Sequence, residues 1–192
     1  MTKVLITDVS KLNKDIDLYR DYVSEYRYKK VKKYRNDQQK LLGIGAELLL
    51  AKYLGRKPCY KIDERGKPYG EETEFNFSHS DNIAVCAVSE APVGVDVEKI
   101  RKINLDIAKR KFSPSEYERI MNSVNPTESF FEYWVKKESY VKAVGKGLRI
   151  PLNEIDTHAV TDWQFYMYDI KGYKLCVCTK ENIKFKIENL SV

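Results

Sequence analysis

The sequence predicts an α+β protein built as two halves. Three observations point that way. Blocks with helical spacing and blocks with strand-like alternation follow one another as helix, strands, then helices, strands. That order fits two halves joined near Glu98–Asn104, residues 1–99 and 100–192. The length, 192 residues, is enough to bury a sizeable core as one domain or as two small ones.

Residues 1–10 (MTKVLITDVS) alternate enough for an opening strand. From Asp15 to Lys33 the chain is charged and tyrosine-rich, with helical spacing in part. Its Arg27-Tyr28-Lys29-Lys30-Val31-Lys32-Lys33 run is the densest positive patch. A solvated helix face and an anion-binding segment are both open readings of that run. Gln38 to Tyr53 reads as a helix, with Leu41, Leu42, Ile44, Leu48 and Leu49 at core spacing and Gly55 as its stop. Glu64-Arg65-Gly66-Lys67-Pro68-Tyr69-Gly70 is a turn-rich loop. Glu74–Ser78, Ile83–Ser89 and Val93–Glu98 are strand-like pieces separated by short polar turns, which predicts an antiparallel meander for at least part of them. Ser113-Pro114-Ser115-Glu116 places Ser at an N-cap, Pro at N1 and Glu at N3, announcing a helix to about Asn122. A longer helix is expected from about Thr127 to Val144, ended by Gly145. Alternation returns over Trp163–Tyr168, Tyr173–Thr179 and Ile183–Ile187. No repeat is visible in the sequence, so a twofold relation between the halves could only be structural.

Composition narrows the function classes without choosing one. Hydrophobic residues make up 43% and charged residues 32%, ordinary for a globular protein. The net charge of +6 favours anionic partners, either phosphate ligands or an acidic protein. Cys59, Cys86, Cys176 and Cys178 show no CxxC pair and no zinc spacing, so they read as free thiols, with Cys176 and Cys178 facing one way on a strand. Apolar runs such as Leu48–Ala51 are far too short for a membrane span, and no secretory leader is apparent, so the expected setting is cytoplasmic. Nucleic acid is disfavoured: the tyrosines of 26–35 form no recognisable RNA-binding motif.

Two segments carry chemistry. In Gly94-Val95-Asp96-Val97-Glu98, strand geometry sends Asp96 and Glu98 to the same face. Neighbouring carboxylates repel and raise each other's proton affinity, which a divalent cation relieves. Two solvated acids on an exposed face are the alternative. In the second segment, Trp134 to Leu148, helical spacing puts Glu138 and Lys142 on one face. They form a surface ion pair there, or else Glu138 is a third metal ligand with Lys142 one turn away, beside developing phosphate charge. The Gly145-Lys146-Gly147 turn lacks the remaining residues of a Walker loop, which disfavours a P-loop nucleotidase. His79, in Asn76-Phe77-Ser78-His79-Ser80, leaves a strand between two serines that could face an anion; His158 has no such company.

Together these residues resemble the Sfp-type phosphopantetheinyl transferases. That family shows a (V/I)G(V/I)D(V/I)E strand and, some forty residues later, a WxxKES(Y/F)xKxxGKGL helix; here they read Val93–Glu98 and Trp134–Leu148. The Phe75–Ser80 strand, the Arg65–Pro68 turn and the Phe112-Ser113-x-Ser115-Glu116-Tyr117 segment match further family features. The likeness runs from about Tyr28 to Leu152. It departs before Leu41-Leu42-Gly43, where relatives carry Arg-Thr and this chain has Gln39-Lys40.

The resemblance implies two similar α/β halves related by pseudo-twofold symmetry, working as a monomer with coenzyme A in the cleft between them. It implies Mg2+ held by Asp96, Glu98 and Glu138, with manganese accepting the same oxygens. Lys142 would contact the phosphate. Ser78 and His79 would grip the 3′-phosphate, with Lys67 and Pro68 bordering the nucleotide. Arg27 and Lys40 are the positions matching further phosphate contacts. The implied reaction moves the 4′-phosphopantetheine arm onto a serine of an acyl- or peptidyl-carrier protein and releases adenosine 3′,5′-bisphosphate. The proton of that serine would go to Glu138 or a water it holds, or alternatively to Glu98. Arg110, Lys111 and Phe112 would form a basic and apolar docking edge for the carrier's acidic helix.

Overall fold

The computed structural model describes residues 2–64, 66–70, 73–145 and 151–181, and the backbone of Ile187–Asn189. The chain divides into two compact units, Met1–Glu90 with Ile183–Val192, and Ala91–Asn182.

The first unit opens with β1 (Lys3–Asp8), followed by a short helix α1 (Glu25–Lys32) and a long one, α2 (Asp37–Leu54). A small hairpin, β2 (Lys61–Ile62) with β3 (Pro68–Tyr69), precedes a longer one, β4 (Glu74–Ser80) with β5 (Ile83–Ser89). Strand β1 pairs antiparallel with β5, Ile6 opposite Val85, and parallel with β9 (Ile187–Asn189), giving the sheet order β4-β5-β1-β9. The α2 residues expected in the core, Leu41, Leu42, Ile44, Leu48 and Leu49, are all buried. Each fully buried Leu or Ile contributes about 1.5–3 kcal/mol, so this stripe seats the helix on the sheet.

The second unit repeats that order. Strand β6 (Val93–Lys99) is followed by a one-turn helix α3 (Ala108–Lys111), the short helix α4 (Pro114–Met121), the long helix α5 (Pro126–Val144), and the hairpin β7 (Gln164–Ile170) with β8 (Tyr173–Thr179). The sheet order is β6-β8-β7, so here too the opening strand pairs with the second hairpin strand. Local chemistry repeats as well. Both short helices have a serine N-cap, Ser24 and Ser113, the latter closing the full capping box with Glu116. Both long helices start at an asparagine cap, Asn36 and Asn125. Both end on a left-handed glycine, Gly55 at φ 66° and Gly145 at φ 70°, a conformation that costs glycine little.

The antiparallel pairing expected for at least part of the three strands is found between β4 and β5. Strand β6 leaves that hairpin and pairs in full register with β8, from Val93 opposite Thr179 to Lys99 opposite Tyr173. The compact units accordingly meet in sequence at Glu90/Ala91. The strand expected at Ile183–Ile187 lies mostly outside the described residues, and the one observed there is Ile187–Asn189.

Each unit also buries one ion pair at the same place. Three residues after the serine cap and eight before the glycine cap, the first unit has Arg27 and Glu47, Nε to Oε2 at 2.8 Å. The second has Glu116 and Lys137, Oε2 to Nζ at 2.6 Å, with both side chains fully buried. In both, the carboxylate also accepts the backbone N–H of the capping serine, Ser24 or Ser113. The acid and the base have exchanged helices between the two units.

Candidate active site

Four of the sequence-predicted site residues stand together in the second unit, on β6 and α5. A glycine decides how closely these elements meet. A Cβ on Gly94 would lie 2.0 Å from the Ser139 carbonyl oxygen and 2.4 Å from the Ala143 nitrogen, so the strand rests on the helix backbone itself. Ser139 and Ala143 each follow a functional residue by one, so the same approach brings Glu138 and Lys142 to the strand.

Asp96 is 5% exposed. Its Oδ1 accepts a 2.6 Å hydrogen bond from Lys142 Nζ, which also donates to the Val95 carbonyl at 3.0 Å. A charge-assisted bond of that length supplies the counter-charge a buried carboxylate requires. Asp96 Oδ2 is also buried. Glu98, half-buried, pairs with Arg101 at 3.1 Å, and the Arg101 guanidinium lies over the Phe131 ring. The i,i+4 spacing predicts an ion pair between Glu138 and Lys142; the structure gives the short contact of Lys142 to Asp96 instead. Burial holds the Glu138 carboxyl above its ordinary range, Asp96 and Glu98 push it further up, and Lys142 and Lys111 oppose them. Glu138 is therefore near enough to Asp96 and to Glu98 to feel both.

No group of three His, Cys, Asp or Glu side chains is gathered closely enough to hold a metal ion among the described residues. The donor chemistry nevertheless fits a hard divalent cation: three carboxylates, one with a second buried oxygen, and one whose proton affinity is raised by burial and then by its acidic neighbours.

The remaining predicted residues belong to the first unit. Ser78 and His79 lie on β4, Ser78 buried and His79 exposed. Lys67 and Pro68 close the β2–β3 turn, where the Lys67 amide donates to Asp63 Oδ1 at 2.8 Å. Lys40 pairs with Asp37 at 2.8 Å. Arg27 is engaged by Glu47, which also accepts from the Tyr60 hydroxyl at 2.8 Å. A cavity of about 280 Å³ in this unit, walled by Leu50, Leu54, Tyr60, Tyr69 and Phe75, touches none of these predicted residues. Lys146 to Leu148 of the long motif lie outside the described residues.

One expectation about docking fails. Phe112 is 2% exposed, packed on Phe130, Tyr133 and Trp134, so it offers no apolar edge; Arg110 is exposed and Lys111 half-buried. Two residues went unpredicted. Lys137 ties Glu116 to the Leu152 and Ile155 carbonyls, both at 2.6 Å, and Glu116 in turn accepts from the Thr157 amide and hydroxyl. The spacing Phe130, Trp134, Lys137, Val141 could have shown that Lys137 sits on the buried stripe. His158 meets the Tyr133 hydroxyl at 2.9 Å, a contact with no local signal in the sequence.

The sequence pattern of the 4′-phosphopantetheinyl transferase superfamily matches residues 92–189. The chain belongs to this family. Over 141 residues it is 38% identical to the 4′-phosphopantetheinyl transferase gsp of Aneurinibacillus migulanus, a match covering 68% of this chain and 60% of that one. A 4′-phosphopantetheinyl transferase of Bacillus subtilis is 37% identical over 134 residues, covering 66% and 60%. The 4′-phosphopantetheinyl transferase Sfp of Bacillus subtilis strain 168 is 28% identical over 188 residues, covering 83% of each chain. The chain thus spans about three fifths of the length of the first two relatives. As a family member it has a mixed α/β fold, and no described helix is long and apolar enough to cross a membrane.

Proposed function

We propose that this protein transfers the 4′-phosphopantetheine arm of coenzyme A to a serine hydroxyl of an acyl- or peptidyl-carrier protein, releasing adenosine 3′,5′-bisphosphate. The observation that carries the reading is the approach of α5 to β6 at Gly94, which brings the helix carrying Glu138 and Lys142 against the strand carrying Asp96 and Glu98 in a chain of this family.

The serine oxygen forms a bond to the β-phosphorus of coenzyme A, and the bond from that phosphorus to the bridging oxygen breaks. The leaving group departs with the charge of the bridge. Asp96, Glu98 and Glu138 would hold Mg2+, which would supply positive charge against the pyrophosphate. Lys142, on the same face of α5 as Glu138, supplies a positive charge for the leaving oxygen. The serine proton passes to Glu138 or to a water it holds; Glu98 is the second choice. Ser78 and His79 serve the 3′-phosphate, Lys67 and Pro68 border the nucleotide, and Arg27 and Lys40 add positive charge. Arg110 and Lys111 remain as a basic docking edge for an acidic carrier helix, without Phe112. The free thiols of Cys59, Cys86, Cys176 and Cys178 fit a reducing, cytoplasmic setting.

The test is intact-mass measurement of apo acyl- and peptidyl-carrier proteins incubated with this protein, coenzyme A and Mg2+. The expected result is a gain of one phosphopantetheine arm on the carrier serine, lost with EDTA and with Glu138→Ala. No gain on any carrier from a folded protein overturns the reading.

A further inference from the structure

We infer that Lys142 is a built-in stand-in for the metal ion: it neutralises Asp96 until a divalent cation is loaded, and loading the cation releases its ammonium to the substrate phosphate. The inference rests on the proposed metal role of Asp96, and it concerns what Lys142 does before the metal arrives.

Asp96 is fixed on a strand that is hydrogen-bonded along its whole length to β8, and it is almost completely buried. A buried carboxylate without a counter-charge is costly. Lys142 answers that need through the 2.6 Å contact to Oδ1 and the second bond to Val95 O, with its own side chain 27% exposed. The partners differ in freedom. Asp96 cannot leave the sheet, whereas a lysine carries its charge on a flexible four-carbon stem and can swing about its place on α5. The remaining oxygen, Oδ2, is buried as well. Glu98 has a basic neighbour of its own in Arg101. Glu138 makes no ion pair among the described residues and feels both acids as repulsion.

A divalent ion bound to Asp96 would stand a few ångströms from the Lys142 ammonium, where like charges repel strongly in a half-buried site. The ammonium is the mobile partner, so it is the one that moves. Binding of the ion and departure of Lys142 are then linked, and the linkage is reciprocal: the lysine weakens metal binding by as much as the metal weakens its hold on Asp96. The arrangement gives an order of events. Lys142 becomes available to a phosphate only when the ion that must share that phosphate is in place.

Two measurements without turnover decide the matter. In the first, the wild-type protein is acylated by a limiting amine reagent with and without Mg2+ alone, and labelling of Lys142 is compared by peptide mass spectrometry with that of exposed Lys109. Mg2+ is expected to raise Lys142 labelling several-fold and leave Lys109 unchanged. In the second, Mn2+ binding is followed by water-proton relaxation. Lys142→Met is expected to bind Mn2+ about tenfold more tightly than wild type, the scale of one hydrogen bond to a charged group. If wild type binds Mn2+ yet Lys142 labelling does not rise, or if Lys142→Met binds no tighter while folded, the inference is overturned and the metal assignment stands. If wild type binds no Mn2+ at all, the metal assignment fails and the inference with it. The labelling arm needs no variant, so a Lys142→Met protein that does not fold leaves the decision to it.

Discussion

Replacing Gly94 by alanine tests the contact on which the site is built. The added Cβ would lie 2.0 Å from Ser139 O, 2.4 Å from Ala143 N and 3.0 Å from Ala143 Cα. Ordinary van der Waals separation is about 3.5 Å, so the worst contact is short by roughly 1.5 Å. All three atoms are backbone, so no side chain can rotate to make room, and α5 must move away from β6. Overpacking a core typically costs about 1–3 kcal/mol, and an obstacle made of backbone belongs at the upper end. Alanine also restricts the unfolded chain, a gain of about 0.4–1 kcal/mol in the opposite direction. The net loss expected is therefore about 2 kcal/mol, or a fall in Tm of roughly 4–8 °C for a protein of this size. Urea unfolding should show a lower midpoint at unchanged slope. A helix displaced by an ångström or more also breaks the 2.6 Å Lys142–Asp96 contact, so transfer activity should fall with stability. A Gly94→Ala protein within about 0.5 kcal/mol of wild type and fully active would refute the close approach.

Three further predictions follow from other parts of the second unit. Lys137→Met leaves Glu116 buried without its ion-pair partner and strips the Leu152 and Ile155 carbonyls of a donor; a loss of about 3–5 kcal/mol is expected in urea, and less than about 1 kcal/mol would contradict the pair's role. The Glu138 carboxyl is raised in the folded protein by burial, then by Asp96, so above its ordinary value of 4.5 the native state holds more proton than the unfolded one. Stability therefore falls as pH rises from 4.5 through the folded value, and metal-free Glu138→Gln should lack that part of the decline; equal pH slopes for the two proteins would remove the assigned cause. Reversing Arg110 and Lys111 to Glu should raise the KM for carrier protein and leave coenzyme A affinity unchanged, whereas equal loss of both would sink the docking edge.

Much of the site was legible because short motifs fix it locally. Strand alternation puts Asp96 and Glu98 on one face, a glycine marks the end of each long helix, and helical spacing puts Glu138 and Lys142 on one side of α5. What was illegible depends on partners distant in sequence. The short Glu90–Pro92 link looks like another hairpin turn, yet β6 pairs with β8, some eighty residues on, and nothing in its own composition selects that partner. The i,i+4 rule considers only the helix, so it pairs Lys142 with Glu138 and misses Asp96, which the Gly94 contact brings nearer. The adjacent lysines of Lys136-Lys137 face opposite environments: Lys136 pairs with Glu132 near the surface, and Lys137 is enclosed. Arg27 similarly looks like one more cation of a basic run and is instead held by Glu47.

The exchanged ion pairs act as an address written into a duplicated plan. Each unit presents a short helix to a long one with the same caps and the same lengths to within one residue, so apolar packing alone distinguishes the proper pairing poorly. Charge distinguishes it well. If α1 met α5 in the register of its own partner, Arg27 would face Lys137; if α4 met α2, Glu116 would face Glu47. Either mismatch buries two like charges with no counter-ion, a far larger penalty than any gain from the matched outlines. Tandem, similarly shaped units are prone to misassembly while they fold. Here a swap of sign, with no change in position, restricts each short helix to the long helix that follows it in the chain.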